Sequence, residues 1–266
     1  MARVWTGLIT VLALAACAPR ADATVLFSNT SNGLSASASF TISGTQLTIL
    51  LTNTDSATGA GAPIDAANVL TGLFFNLGSG AFTPVSANTF GNGSIIQTNQ
   101  CDVPATCAST TNVGGEFSYA YGGENWLAGT NQGISSSGYL NTNTSSGNFG
   151  GSSLDDPTAL DGINFGMVPN NWVAGSGNGG LDGVPLIEGT VKFVLTIPAG
   201  LSESDIKNVY FTYGTAAGEG TLGGTTSGTP TTSGTPTSGS VPEPATLSIL
   251  GLALAGAGYR FRRKVS

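Results

Sequence analysis

The sequence predicts an all-β protein, a single β-sandwich or jelly-roll-like domain. A signal peptide is expected before this domain and a single membrane-spanning helix after it. Three observations carry that expectation. Apolar residues recur at every second position in several short runs, the period of half-buried strands. Gly, Asn and Pro separate these runs, and Gly alone supplies 40 of the 266 residues, the punctuation of tight turns. Charged residues make up only 9% of the chain, yet aromatic and β-branched clusters provide the apolar surface that a disordered segment lacks.

Taken in order, residues 1–23 begin with Arg3, continue through an apolar stretch at 8–16 and end on Ala21-Asp22-Ala23. That is the make-up of a secretory signal peptide cut by signal peptidase, with Ala21 and Ala23 as the small residues of the site. Leu14-Ala15-Ala16-Cys17 also reads as a lipoprotein box with Cys17 as the lipidated residue. The mature chain is expected to start near Thr24.

The body, residues 24–217, has a comfortable size for one sandwich. Leu34, Ala36, Ala38, Phe40 and Ile42 alternate with Ser and Thr, and a turn at Ser43-Gly44-Thr45 leads into residues 46–52, giving a hairpin. Residues 69–77, with Phe74 and Phe75, form a further strand. Residues 116–121 form another, with Phe117, Tyr119 and Tyr121 on one side. The Gly- and Asn-rich stretch at 122–185 is too long to be structureless inside a compact domain, and pairing is expected near 163–168. Val191, Phe193, Leu195 and Ile197 then oppose Lys192, Val194 and Thr196. After the Pro198-Ala199-Gly200 turn, residues 206–213 return with Val209, Phe211 and Tyr213 on one face.

Residues 218–240 change character. TTSGTP at 225–230 is repeated letter for letter at 231–236, so a flexible stalk without core residues is expected. Its Thr and Ser residues are also acceptable sites for O-glycosylation.

Charge narrows the function. Between residues 24 and 240 the only cations are Lys192 and Lys207, against 13 acidic residues, a net charge of −11. Such a surface excludes a nucleic-acid partner, whose phosphates are bound through Lys and Arg. Cys101 and Cys107 are the two cysteines of the mature chain. In an exported protein they are expected to form one disulfide around Pro104. The chain has no His, so a Ser-His-Asp device is impossible and a His-bearing zinc site is too; no metal or cofactor is expected.

Weaker constellations remain. Glu116 and Glu124 flank a Tyr-rich segment, the residue types a glycosidase uses as acid and nucleophile, although carboxylates at a strand edge and a turn, facing water, are the simpler reading. Asp155, Asp156 and Asp161 offer the hard oxygens that calcium accepts, without the spacing of an EF-hand loop. Trp126, Tyr139 and Trp172 suit a sugar-stacking platform, although core packing is the commoner fate of such rings.

The last segment, 241–266, is tripartite. Val241-Pro242-Glu243-Pro244 holds the chain extended. Residues 245–258 carry no charge, a marginal length for a span that ordinarily needs about 20 apolar residues. Arg260, Arg262, Arg263 and Lys264 form a basic stop that stays cytoplasmic.

Pro242-Glu243-Pro244, the apolar run and the basic cluster together resemble the PEP-CTERM sorting signal of Gram-negative surface proteins. The resemblance implies recognition by exosortase, an integral-membrane protease that cleaves near the motif. It also implies an association with exopolysaccharide and biofilm. Within the body, Gly162-Ile163-Asn164-Phe165-Gly166-Met167-Val168-Pro169 and Asn178-Gly179-Gly180-Leu181 resemble the XDD-type exosortase-dependent surface proteins. So does Leu201-Ser202-Glu203-Ser204-Asp205-Ile206 together with residues 209–215. That likeness carries over no catalytic residue.

The expected protein is therefore exported, held transiently in the inner membrane and then sorted to the cell surface or matrix. There it serves without catalysis and associates with exopolysaccharide. A carbohydrate-binding module and a carboxylate-dependent glycan hydrolase are the alternatives.

Overall fold

Alternation becomes geometry in the first two hairpins. Along β1 (Ala23–Ser31), β2 (Leu34–Ser43) and β3 (Gln46–Asn53), Val25, Phe27, Ala36, Ala38, Phe40, Ile42, Leu47, Ile49 and Leu51 are all buried. Ser and Thr fill most of the intervening positions. Asn32 and Gly33 join β1 to β2 with φ of 54° and 78°, the doubly left-handed turn whose twist matches antiparallel strands. Gly44, at φ 61°, opens the turn into β3.

The computed structural model describes residues 23–55, 65–97, 111–122, 127–137, 139–142, 145–149, 151–155, 160, 162–170, 172, 181, 183–215, 219–226 and 231–232. All of them lie in the first of two compact units, Met1–Thr232. The remaining strands are β4 (Leu70–Asn76), β5 (Thr83–Ile96), β6 (Ser118–Tyr121), β7 (Gln132–Ser135), β8 (Tyr139–Thr142) and β9 (Ser145–Asn148). They continue with β10 (Ser152–Ser153), β11 (Met167–Val168), β12 (Leu186–Thr196), β13 (Lys207–Tyr213), β14 (Gly220–Gly223), β15 (Thr225–Thr226) and β16 (Thr231–Thr232).

One antiparallel layer runs β1–β2–β3–β12–β5. A second runs β10–β6–β7–β4–β13–β14. The short β11 joins them, with Met167 opposite Leu70 of β4 and, in parallel register, opposite Ile187 of β12. The result is one continuous 14-stranded network rather than two separate sheets. Strands β8 and β9 form a hairpin of their own.

The layers face each other across an aromatic core. Phe40 of β2 meets Phe75 of β4 edge-on, with ring centroids 5.3 Å apart, and Phe117 meets Phe193 of β12 at 5.0 Å. Neither pair lies on neighbouring strands, so these contacts cross the interior. Beyond their buried area, such pairs contribute about 0.5 to 1.5 kcal/mol each. The all-β architecture expected from the sequence is thus present, as two packed layers of one folded sheet.

Close backbone crossings explain two glycines. A Cβ on Gly72 would overlap the Thr212 hydroxyl on the neighbouring β13. Gly189, at φ 97°, forms the bulge where β12 shifts register against β5, and its Cβ would fall 2.9 Å from the Cα of Gly93. Bulges of this kind bend a strand and raise its twist, here where β12 leaves β11 and takes up β3.

The β-domain runs past residue 217, the boundary set from composition. Strand β14 pairs with β13, and Leu222 joins the main core at 4% exposure. Strands β15 and β16 both pair with β1, and β16 belongs to the second TTSGTP repeat. Strand pairing uses backbone groups, so Thr and Gly can extend a sheet edge without apolar side chains of their own. Leu222 adds the apolar contact to the core.

Candidate functional site

The sorting residues Val241, Pro242, Glu243 and Pro244, the basic Arg260, Arg262, Arg263 and Lys264, and Ala21 lie outside the described residues, as do Cys17, Cys101 and Cys107. So do the expected spanning helix, most of the stalk, Glu124, Trp126, Asp156 and Asp161. Among the described residues no helix is long and apolar enough to cross a membrane. Ala23 is the first residue of β1 and pairs with Thr232.

Several expected candidates become packing residues. Trp172 is 6% exposed and packs with Val69, Val168, Leu181 and Leu186, so it offers no platform for a sugar. Tyr139 is the first residue of β8, in the separate β8–β9 hairpin. Glu116 sits in a 3-10 turn (Gly114–Glu116) ahead of β6 and is 2% exposed. This corrects the water-facing carboxylate expected there: the turn folds inward between Phe117 and Leu154, both core residues. Asp155 accepts a hydrogen bond from Asn112 Nδ2 at 2.7 Å, while Asn112 Oδ1 accepts from the Gly114 amide at 2.8 Å. Its carboxylate thereby staples two loops. No group of three or more metal-ligating side chains occurs among the described residues.

A groove opens elsewhere, at the edge of the second layer. It has a volume of about 390 Å³ and is lined by Ala81, Phe82, Tyr119, Tyr121, Phe149 and Ser152, among others. The rings of Phe82 and Tyr119 stack 6.1 Å apart and nearly parallel, at 9°. Tyr119 and Tyr121 share one face of β6; Tyr119 is buried, and Tyr121, at the end of the strand, reaches the rim at 44% exposure. Strand β10 pairs only with Ser118 and Tyr119, so β6 runs on past it by two residues.

The wall of this groove is fixed by a buried polar network. The Tyr119 hydroxyl accepts from the Phe82 amide at 2.7 Å and donates to Gln132 Oε1 at 2.5 Å. Gln132 Nε2 donates in turn to the carbonyls of Leu77 and Gly80, at 3.0 and 3.2 Å. Burial pushes the Tyr119 phenol up to about 12, although the hydrogen bond from Phe82 acts in the opposite sense. Phe149 is held from behind by Phe74, edge-on at 5.8 Å. Sequence reasoning placed Tyr119 and Tyr121 on one face but missed the groove, because Phe82, Phe149 and Ser152 come from loops and a short strand without periodicity.

A second buried polar cluster surrounds Thr71. Its carbonyl accepts from Ser135 Oγ and from the Ser136 amide, and its hydroxyl donates to Gly214 O at 3.0 Å. Ser135, Ser136 and Ser137 are fully buried. Nearby, Tyr213 is buried with no hydrogen-bond partner for its hydroxyl among the described residues. Burial and the Asp55 charge both push its phenol above the ordinary tyrosine range.

Together these features define an all-β domain with an aromatic groove on one sheet edge and a separate C-terminal unit. Within that unit, Ser233–Ser266, residues 240–264 match the PEP-CTERM protein-sorting motif. The chain therefore carries the motif that implies export, processing by an exosortase and sorting to the surface of a Gram-negative cell. No curated protein matches the chain, and no solved structure does.

Proposed function

We propose that this is a non-catalytic surface or matrix protein. Its β-domain is carried to the outside, held briefly in the inner membrane by the hydrophobic tail, and released by exosortase into an exopolysaccharide layer. The observation that carries the reading is the sorting motif at 240–264 placed after an acidic, cation-poor body. An acidic body of this kind stays soluble and resists non-specific binding to anionic surfaces. Fractionating cells that express the full chain, and cells that express a chain ending at residue 240, tests it. The full chain is expected in the surface or matrix fraction, and the shortened chain in the periplasm. Equal distribution would contradict the proposal.

A second reading, a carbohydrate-binding module of the same matrix, is favoured by the solvent-open aromatic groove and the exposed ring of Tyr121. The glycan hydrolase has no supporting geometry among the described residues: Glu116 is buried and is not part of the groove lining.

A further inference from the structure

We propose that the groove between the start of β5, β6 and β10 binds an uncharged hexose unit of a polysaccharide chain. The inference rests on the carbohydrate-binding reading and names its site and ligand class.

The lining is chemically amphiphilic in the way a pyranose is. The rings of Phe82, Tyr119 and Phe149, each only 3 to 4% exposed, form the floor of the groove, the exposed Tyr121 ring forms one rim and the exposed Ser152 forms another. A sugar can lay a C–H face on the Tyr121 ring and turn its hydroxyls to Ser152, while an aliphatic ligand would leave the rim hydroxyls without use. Among the described residues no Asp, Glu, Lys or Arg lines the groove. The chain as a whole carries a net charge of −7. An anionic polymer would therefore be repelled at long range and find no cation at short range, which selects an uncharged unit.

The groove is also prepared before a ligand arrives. Tyr119 is held at its hydroxyl by Phe82 and Gln132, and Gln132 ties down the loop at 77–80. Little ordering is left for binding to impose, which lowers its entropic cost. Ala81, Gly151 and Ser152 are all exposed, so a polymer can pass through the groove rather than end in it.

Calorimetric titration of the mature protein with cellohexaose, maltohexaose and mannohexaose tests the proposal, with oligogalacturonate as the anionic comparison. At least one neutral oligomer is expected to bind and oligogalacturonate is not. Tyr121→Ala is expected to weaken binding by about tenfold, the loss of one stacking ring, and Tyr121→Phe to preserve it. Ser152→Trp, which fills the rim, is expected to block binding. Thermal melts of the three variants establish that they are folded. Binding by none of the neutral oligomers, equal binding by Tyr121→Ala and Ser152→Trp, or preferred binding of oligogalacturonate would each overturn it. Tyr121→Ala leaves the sorting tail untouched, so its normal display on cells separates failure of the groove from failure of the surface-protein reading.

Discussion

At the scale of single residues, two buried tyrosines make opposite predictions. The Tyr119 hydroxyl both accepts and donates a buried hydrogen bond, so Tyr119→Phe strands the Phe82 amide and should cost about 1 to 3 kcal/mol. The Tyr213 hydroxyl has no hydrogen-bond partner among the described residues, so Tyr213→Phe should leave stability unchanged or raise it. Urea denaturation of the two variants checks both, and a larger loss at Tyr213 would contradict the packing described. The phenol of Tyr119 is raised from 10.0 to about 12 in the folded chain. An unfolded chain therefore releases this proton first, and stability present below the lower value is lost as pH climbs through the higher. Denaturation between neutral pH and pH 11.5 should show that decline, and Tyr119→Phe should make it shallower, leaving the part that the raised Tyr213 phenol contributes. None of this was legible in the sequence, because a buried tyrosine and an exposed one look alike until their partners are known. Trp172 shows the same limit in reverse, since its core role could be weighed but not assigned.

At the scale of elements, the hairpin of β2 and β3, the apolar run of β4 and the alternation of β12 and β13 were readable, because each has a face dictated by the core. Strand β1 was missed although Asn32-Gly33 is the turn signal that introduces it. Strand β7 was missed for a firmer physical reason. Gln132, Ser135 and the following serines are fully buried, so polar side chains occupy interior positions and hydrogen bonding replaces the apolar pattern. Composition predicts a stalk over 218–240, yet Leu222 is buried and β15 pairs with the edge of β1. Two outcomes follow. Leu222→Ala should destabilise the domain by about 2 to 5 kcal/mol. A body ending at residue 217 should melt below one ending at 232. Identical melting curves would show that the segment is a simple tether after all.

At the scale of the whole molecule, the C-terminal signal was the most legible feature. Its order of prolines, apolar run and basic cluster is written locally, and the matched motif covers those same residues. The aromatic groove was the least legible, because it is assembled from three distant segments by sheet topology. The central claim is that exosortase reads and removes this tail, and intact-mass analysis of the surface-displayed protein with and without the exosortase tests it most directly. In exosortase-positive cells the recovered chain should end near Val241-Pro242-Glu243-Pro244. Without the enzyme it should retain the residues up to Ser266 and stay with the membrane. Normal display at an unchanged mass in cells lacking the enzyme would contradict the account.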